Sequence, residues 1–73
     1  MEEPLKRRVG RGVRSLRTSR GLTQEKLAEQ LNVTPRYLAG IERGERNLTL
    51  DSIDELAKRL GVDGAALLGA DAG

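Results

Sequence analysis

Histidine and cysteine are both absent from the 73 residues, and that absence decides most of the chemistry the chain can do. Without imidazole or thiolate there is no nitrogen or sulfur ligand for zinc, iron or copper, and no metal site is expected. Cys–His and Ser–His–Asp nucleophiles are excluded for the same reason. Threonine, serine, lysine and carboxylates are present, but no paired or clustered set of them falls in a plausible cleft. The expectation is therefore no enzyme, no cofactor and no small-molecule ligand.

What remains is cationic hydrogen-bond donation. Arg36, within Thr34-Pro35-Arg36-Tyr37, carries a planar fork that can hold guanine O6 and N7 in two bonds or grip a phosphate. Arg43 and Arg46 follow within a few residues. Tyr37 is the only aromatic residue; its ring can pack on a helix pair, and its hydroxyl or ring can also meet a nucleic acid. The formal net charge is only +2, but it is unevenly spread. Lys6, Arg7, Arg8, Arg11, Arg14, Arg17 and Arg20 crowd the first part of the chain against Glu2 and Glu3 alone, whereas Asp51, Asp54, Glu55, Asp63 and Asp71 outnumber Lys58 and Arg59 in the last part. A basic end and an acidic end suit a polyanion-facing side and a side turned to solvent or a partner.

These side chains need elements to hold them. Periodicity and punctuation place five helices, with neither repeats nor low-complexity segments. The first spans about Leu5 to Arg20, with Leu5, Val9, Val13 and Leu16 on one face and Gly21 as its C-terminal cap. Gly10 and Gly12 each cost about 1 kcal/mol relative to alanine, which predicts fraying of its N-terminal half. The second runs from Gln24 to Leu31, capped by Thr23, with Leu27, Ala28 and Leu31 inward; Asn32 then turns the chain with positive φ. The third starts at Pro35 behind the cap Thr34 and extends to about Arg43, with Leu38 and Ile41 inward and Gly44 closing it. The fourth runs from about Leu50 to Leu60, capped by Thr49 and closed by Gly61, with Ile53, Leu56, Ala57 and Leu60 on one face. A short fifth turn begins at Asp63 and carries Leu67 and Leu68. Length and patterning predict one all-α domain over residues 1–68 and a disordered tail over 69–73. No apolar run reaches the roughly 20 residues of a membrane span, and no apolar stretch follows Lys6, Arg7 and Arg8 to make a secretory signal. A cytoplasmic protein away from membranes is expected.

The stretch from Thr23 to Gly44, TQEKLAEQLNVTPRYLAGIERG, meets three demands at fixed spacing. Ala28 is small where two helices cross, Asn32 accepts a left-handed turn, and Leu27, Leu31, Val33, Leu38 and Ile41 lock the helices together. The connection of about three residues is that of a helix-turn-helix over about residues 23–44. The chain here resembles the Cro and phage-repressor type of helix-turn-helix, the XRE family, over roughly Val9 to Leu68. LTQEKLAEQLNV, IERGERNLTL and LAKRLGV carry the likeness, and YLAGIERGERNLTL looks most like the controller proteins of restriction-modification systems.

The resemblance implies a five-helix, lambda-repressor-like DNA-binding domain. It further implies a transcriptional regulator that binds a pseudo-palindromic operator in double-stranded DNA as a homodimer, with the recognition helix Pro35–Arg43 in the major groove. It puts Thr34, Pro35, Arg36, Tyr37 and Gly40 against base edges. Pro35 has no donor and Gly40 no side chain, so base reading falls mostly on Arg36. It assigns Thr23 and Gln24, at the start of the second helix, and Arg43, Arg46 and Asn47, in the following loop, to phosphates. It pairs Glu42 with Arg17 as a structural bridge. Val62, Leu67 and Leu68 are candidates for the dimer interface, with completion of the domain's own core as the other role open to them. A protein-interaction or antitoxin-like adaptor on the same fold is the alternative reading, and the cationic residues Arg36, Arg43 and Arg46 favour DNA over it.

Overall fold

A computed structural model describes residues 3–68. The expected tail over 69–73 and the first two residues of the expected domain lie outside that range. Five helices follow one another: α1 Leu5–Ser19, α2 Gln24–Leu31, α3 Pro35–Glu42, α4 Leu50–Leu60 and α5 Gly64–Leu67. Local chemistry sets their ends. Thr23, Thr34 and Thr49 each sit in extended conformation, and each side-chain oxygen accepts an amide from the first turn of α2, α3 and α4. Asn32 ends α2 in the left-handed region at φ 60°, the one such non-glycine residue among those described. The backbone can then turn at once and begin α3 behind Thr34, with Pro35 in its first turn.

α1 lies against α3 and α5, α2 against α3 and α4, and α4 against α5. The centre is aliphatic. Val9 and Val13 from α1, Leu27 and Leu31 from α2, Leu38 and Ile41 from α3, and Leu67 from α5 are fully buried, with Leu56, Ala57 and Leu60 closing the α4 side. Each such leucine or valine contributes about 1.5–3 kcal/mol by leaving water. Two arginines complete helix ends that apolar packing leaves open. Arg20 Nη2 donates to the carbonyl of Leu60 at 2.8 Å, at the end of α4. Arg59 Nη1 donates to the carbonyl of Leu31, at the end of α2. A cation at a helix C-terminus meets both an unused acceptor and the negative end of the helix dipole.

Three expectations change here. α1 is helical through Gly10 and Gly12, and these glycines are packing residues. A Cβ on Gly10 would overlap the carbonyl oxygen of Ile41 and stand 2.9 Å from that of Glu42; one on Gly12 would overlap the carbonyl oxygen of Leu67. Only an unsubstituted α-carbon lets α1 approach α3 and α5 this closely. Leu5 is 57% exposed despite its place in the apolar spacing of α1, because the core ends at Val9. Leu67 is 0% exposed inside the monomer core, which removes it from the candidates for a dimer interface; Val62 and Leu68 pack on that core and remain half-buried.

Candidate nucleic-acid interface

The surface that α3 offers is held from behind by one carboxylate. Glu42, the last residue of α3, has a side chain only 4% exposed. Arg17 of α1 donates to it twice, from Nε to Oε2 at 2.7 Å and from Nη2 to Oε1 at 3.1 Å. Gln24, the first residue of α2, donates Nε2 to the same Oε1 at 3.1 Å. The remaining arm of Arg17, Nη1, donates to the carbonyl of Leu22 at 3.0 Å. Three helices thus meet on Glu42, and all three bonds to its carboxylate are charge-assisted. The hydrogen bond from Arg17 to Glu42 is the main reason its guanidinium pKa is raised; burial opposes the shift, and the charge of Glu42 adds to it. Apart from the Arg17–Glu42 pair, this junction was not legible in the sequence. Gln24 was expected at a phosphate. It is found with its amide on Glu42, which leaves it a second N–H, because one nitrogen carries two donors.

Forward of this anchor the α3 side chains turn to solvent. Thr34, Pro35 and Arg36 are exposed, and Arg36 makes no side-chain hydrogen bond to any described residue. The Thr34 oxygen accepts from the amide of Tyr37 at 3.0 Å, and that of Thr23 accepts from the amide of Lys26 at 3.1 Å. Acting as caps, both hydroxyls keep their own hydrogens free to donate outward. Thr34→Ala is expected to lower the unfolding free energy by about 1 kcal/mol through loss of this cap, measured in urea melts; an unchanged midpoint would mean that water replaces the hydroxyl.

Tyr37 is half-buried and packs against the core. The Arg46 guanidinium carbon lies over its ring, 4.9 Å from the centroid. Arg46 also lies across Gly40, where an added Cβ would stand 3.1 Å from Arg46 Nε. Gly40 is therefore buried, and Arg46 is what this part of the α3 surface presents. Arg43 is paired with Glu45 in the loop at 3.0 Å, and the hydrogen bond from Arg43 holds the Glu45 carboxyl below the usual carboxylate range. Asn47 accepts from Lys6 of α1 at 3.4 Å. Sequence reasoning missed Glu45 as a loop partner and Lys6 as a neighbour of Asn47. The first lies within IERGERN and was open to notice; the second needs the fold.

Charge counting also overstated the cations available on α1. Arg17 and Arg20 are spent on internal acceptors, and Arg11 pairs with Glu3. The described residues hold no cluster of three or more potential metal ligands, and no described helix is long and apolar enough to cross a membrane.

Two short helices joined through a left-handed Asn32, with a cationic exposed end on the second, match a known pattern. The helix-turn-helix family matches residues 13–67. The chain belongs to that family. Among its relatives is the control protein C.BamHI of Bacillus amyloliquefaciens, 43% identical over 60 residues that make up 81% of this chain and 74% of that protein. The clp gene regulator ClgR of C. glutamicum superposes with a TM-score of 0.82 at 33% identity, over 99% of this chain and 94% of that one. The restriction-modification controller protein C.Esp1396I, solved as a tetramer with its natural 35-base-pair operator, superposes with a TM-score of 0.76 at 35% identity, over 94% and 91% of the two chains. The five-helix, strand-free architecture of the described residues is that of these family members.

Proposed function

We infer that the chain is a sequence-specific transcriptional regulator that binds a pseudo-palindromic operator in duplex DNA as a homodimer, with α3 in the major groove. The observation that carries this is the contrast between the two ends of α3. Its rear is fixed by Glu42 to α1 and α2, and its front carries an exposed Arg36 that no described side chain restrains by a hydrogen bond or ion pair. A rigid helix with a free, aimed guanidinium suits a base-edge reader, since Arg36 can take guanine O6 and N7 in two bonds. Thr34, Pro35 and Tyr37 flank it. Thr23 and Gln24 lie at the N-terminus of α2, where backbone amides and helix dipole favour a phosphate. Arg43, Arg46 and Asn47 supply further backbone contacts that set register. The operator complex of the C.Esp1396I controller supports the same use of this fold. A surface carrying Arg36, Arg43 and Arg46 disfavours a protein-binding adaptor.

One module of this size buries roughly 600–1,000 Å² of its own surface on DNA, too little for tight specific binding, so two copies one DNA turn apart are needed. Val62 and Leu68, half-buried at the α4–α5 end, are candidates for that pairing. The regulator acts in the cytoplasm, needs no cofactor, and responds to its own concentration.

Selection from a random duplex pool is expected to return an inverted repeat; recovery of no enriched sequence would overturn the reading. Arg36→Ala is expected to weaken binding to the selected site by about 1–3 kcal/mol and to erase preference at one base pair per half-site. A gel-shift titration over single-base variants checks this, and intact preference at every position would remove Arg36 from the base readers.

A further inference from the structure

The loop after α3 is built directly onto the first turn of α1. Gly44 has φ +75°, and a Cβ there would stand 2.8 Å from Arg7 Cγ and 3.0 Å from Arg7 Cα. Glycine at this position both permits the left-handed turn and lets loop and helix touch. On the same side, Lys6 Nζ donates to Asn47 Oδ1 at 3.4 Å. Lys6 and Arg7 are exposed, and no carboxylate pairs with either among the described residues. Arg43 and Arg46 lie in the same loop as Gly44 and Asn47, where Glu45 is the one carboxylate and is already engaged by Arg43.

We propose that Lys6 and Arg7 are two further contacts to duplex phosphates, so that the backbone-gripping surface runs from the loop onto the first turn of α1, beyond the helix-turn-helix itself. This rests on the reading of the chain as a DNA binder. An ammonium has three donors; with one on Asn47, two are free for a phosphate oxygen beside the one Asn47 meets. The stem of Arg7 lies on Gly44, which fixes the base of a long side chain at the loop edge and leaves its charged head in water. Neither residue is on α3, so the pair holds register and carries no sequence information.

The test is the salt dependence of binding by the full chain, read by fluorescence anisotropy on a random-sequence duplex and on the duplex recovered by selection. Lys6→Gln with Arg7→Gln is expected to reduce the slope of log affinity against log salt by about 1.8, and each single change by about 0.9, equally on both duplexes. Lys58→Gln removes the same charge from α4, about 12 Å along that helix from Leu50, and is expected to leave the slope alone. An unchanged slope in the double variant overturns the proposal. So does an equal fall with Lys58→Gln, which would mark a general field, or a loss confined to the selected duplex, which would mark base reading. If the unaltered chain binds neither duplex, the regulator reading fails and takes this one with it; if it binds and only the double variant's slope stays put, the regulator reading stands alone. Should the double variant fail to melt cooperatively, Lys6→Gln, whose side chain bonds Asn47 alone among the described residues, decides the matter.

Discussion

Glu42→Ala is expected to lower the unfolding free energy by about 3–5 kcal/mol, a large share of the margin of a domain this small. The reason is what the substitution leaves behind. Arg17 keeps its charge without Glu42, since a guanidinium is not deprotonated in a protein, yet its side chain is only 14% exposed. Without the carboxylate, Nε and Nη2 lose their acceptor in a place water reaches poorly, and the Gln24 amide loses its acceptor too. A buried charge left alone costs far more than the intact pair contributes. At roughly 4–8 °C per kcal/mol for a domain this size, the melting temperature falls by well over 10 °C. Arg17→Ala with Glu42→Ala is expected to be less damaging than the sum of the single changes, because no lone charge remains. A single-variant loss under about 1 kcal/mol would show that the junction behaves as an ordinary exposed pair.

Gly10→Ala is the second large effect, and local propensity assigns it the wrong sign. In a free helix, alanine for glycine gains about 1 kcal/mol. Here the added methyl group overlaps the carbonyl oxygen of Ile41, a backbone atom in the last turn of α3 with no rotamer to escape into. α1 must move off α3, and overpacking of this kind costs about 1–3 kcal/mol after the helix gain is absorbed. The shift also stretches the Arg17–Glu42 bond one residue away from the collision. Lower stability by chemical denaturation, together with weaker DNA binding at a temperature where the variant is still folded, is the expected pair of results. A variant as stable as the parent would mean that α1 and α3 can separate freely.

Those two residues mark where sequence reading works and where it stops. The caps Thr23, Thr34 and Thr49 and the left-handed Asn32 were legible because each acts on backbone within four residues of itself. The apolar spacing inside α2, α3 and α4 was legible because a helix repeats. Gly10 and Gly12 were misread as weak points because their reason lies in chain far away, at Ile41 and Leu67. Leu5 was misread because periodicity continues past the place where the core ends. Leu67 was open between core and interface because spacing says that a residue is apolar without saying what covers it. At the interface, exposure of Thr34, Pro35 and Arg36 followed from the helix pattern, whereas the placement of Arg46 over Tyr37 and Gly40 required the loop to fold back onto α3.

The clasp on Glu42 sits entirely behind the α3 residues that face outward. Thr34, Pro35 and Arg36 take no part in it, so their identities are uncoupled from the angle at which the helix is presented. On the proposed reading of these residues as base readers, address and scaffold become separable traits: a lineage could rewrite the three letters at the tip and acquire a new target site without rebuilding the frame, whereas any change at the clasp would alter every target at once.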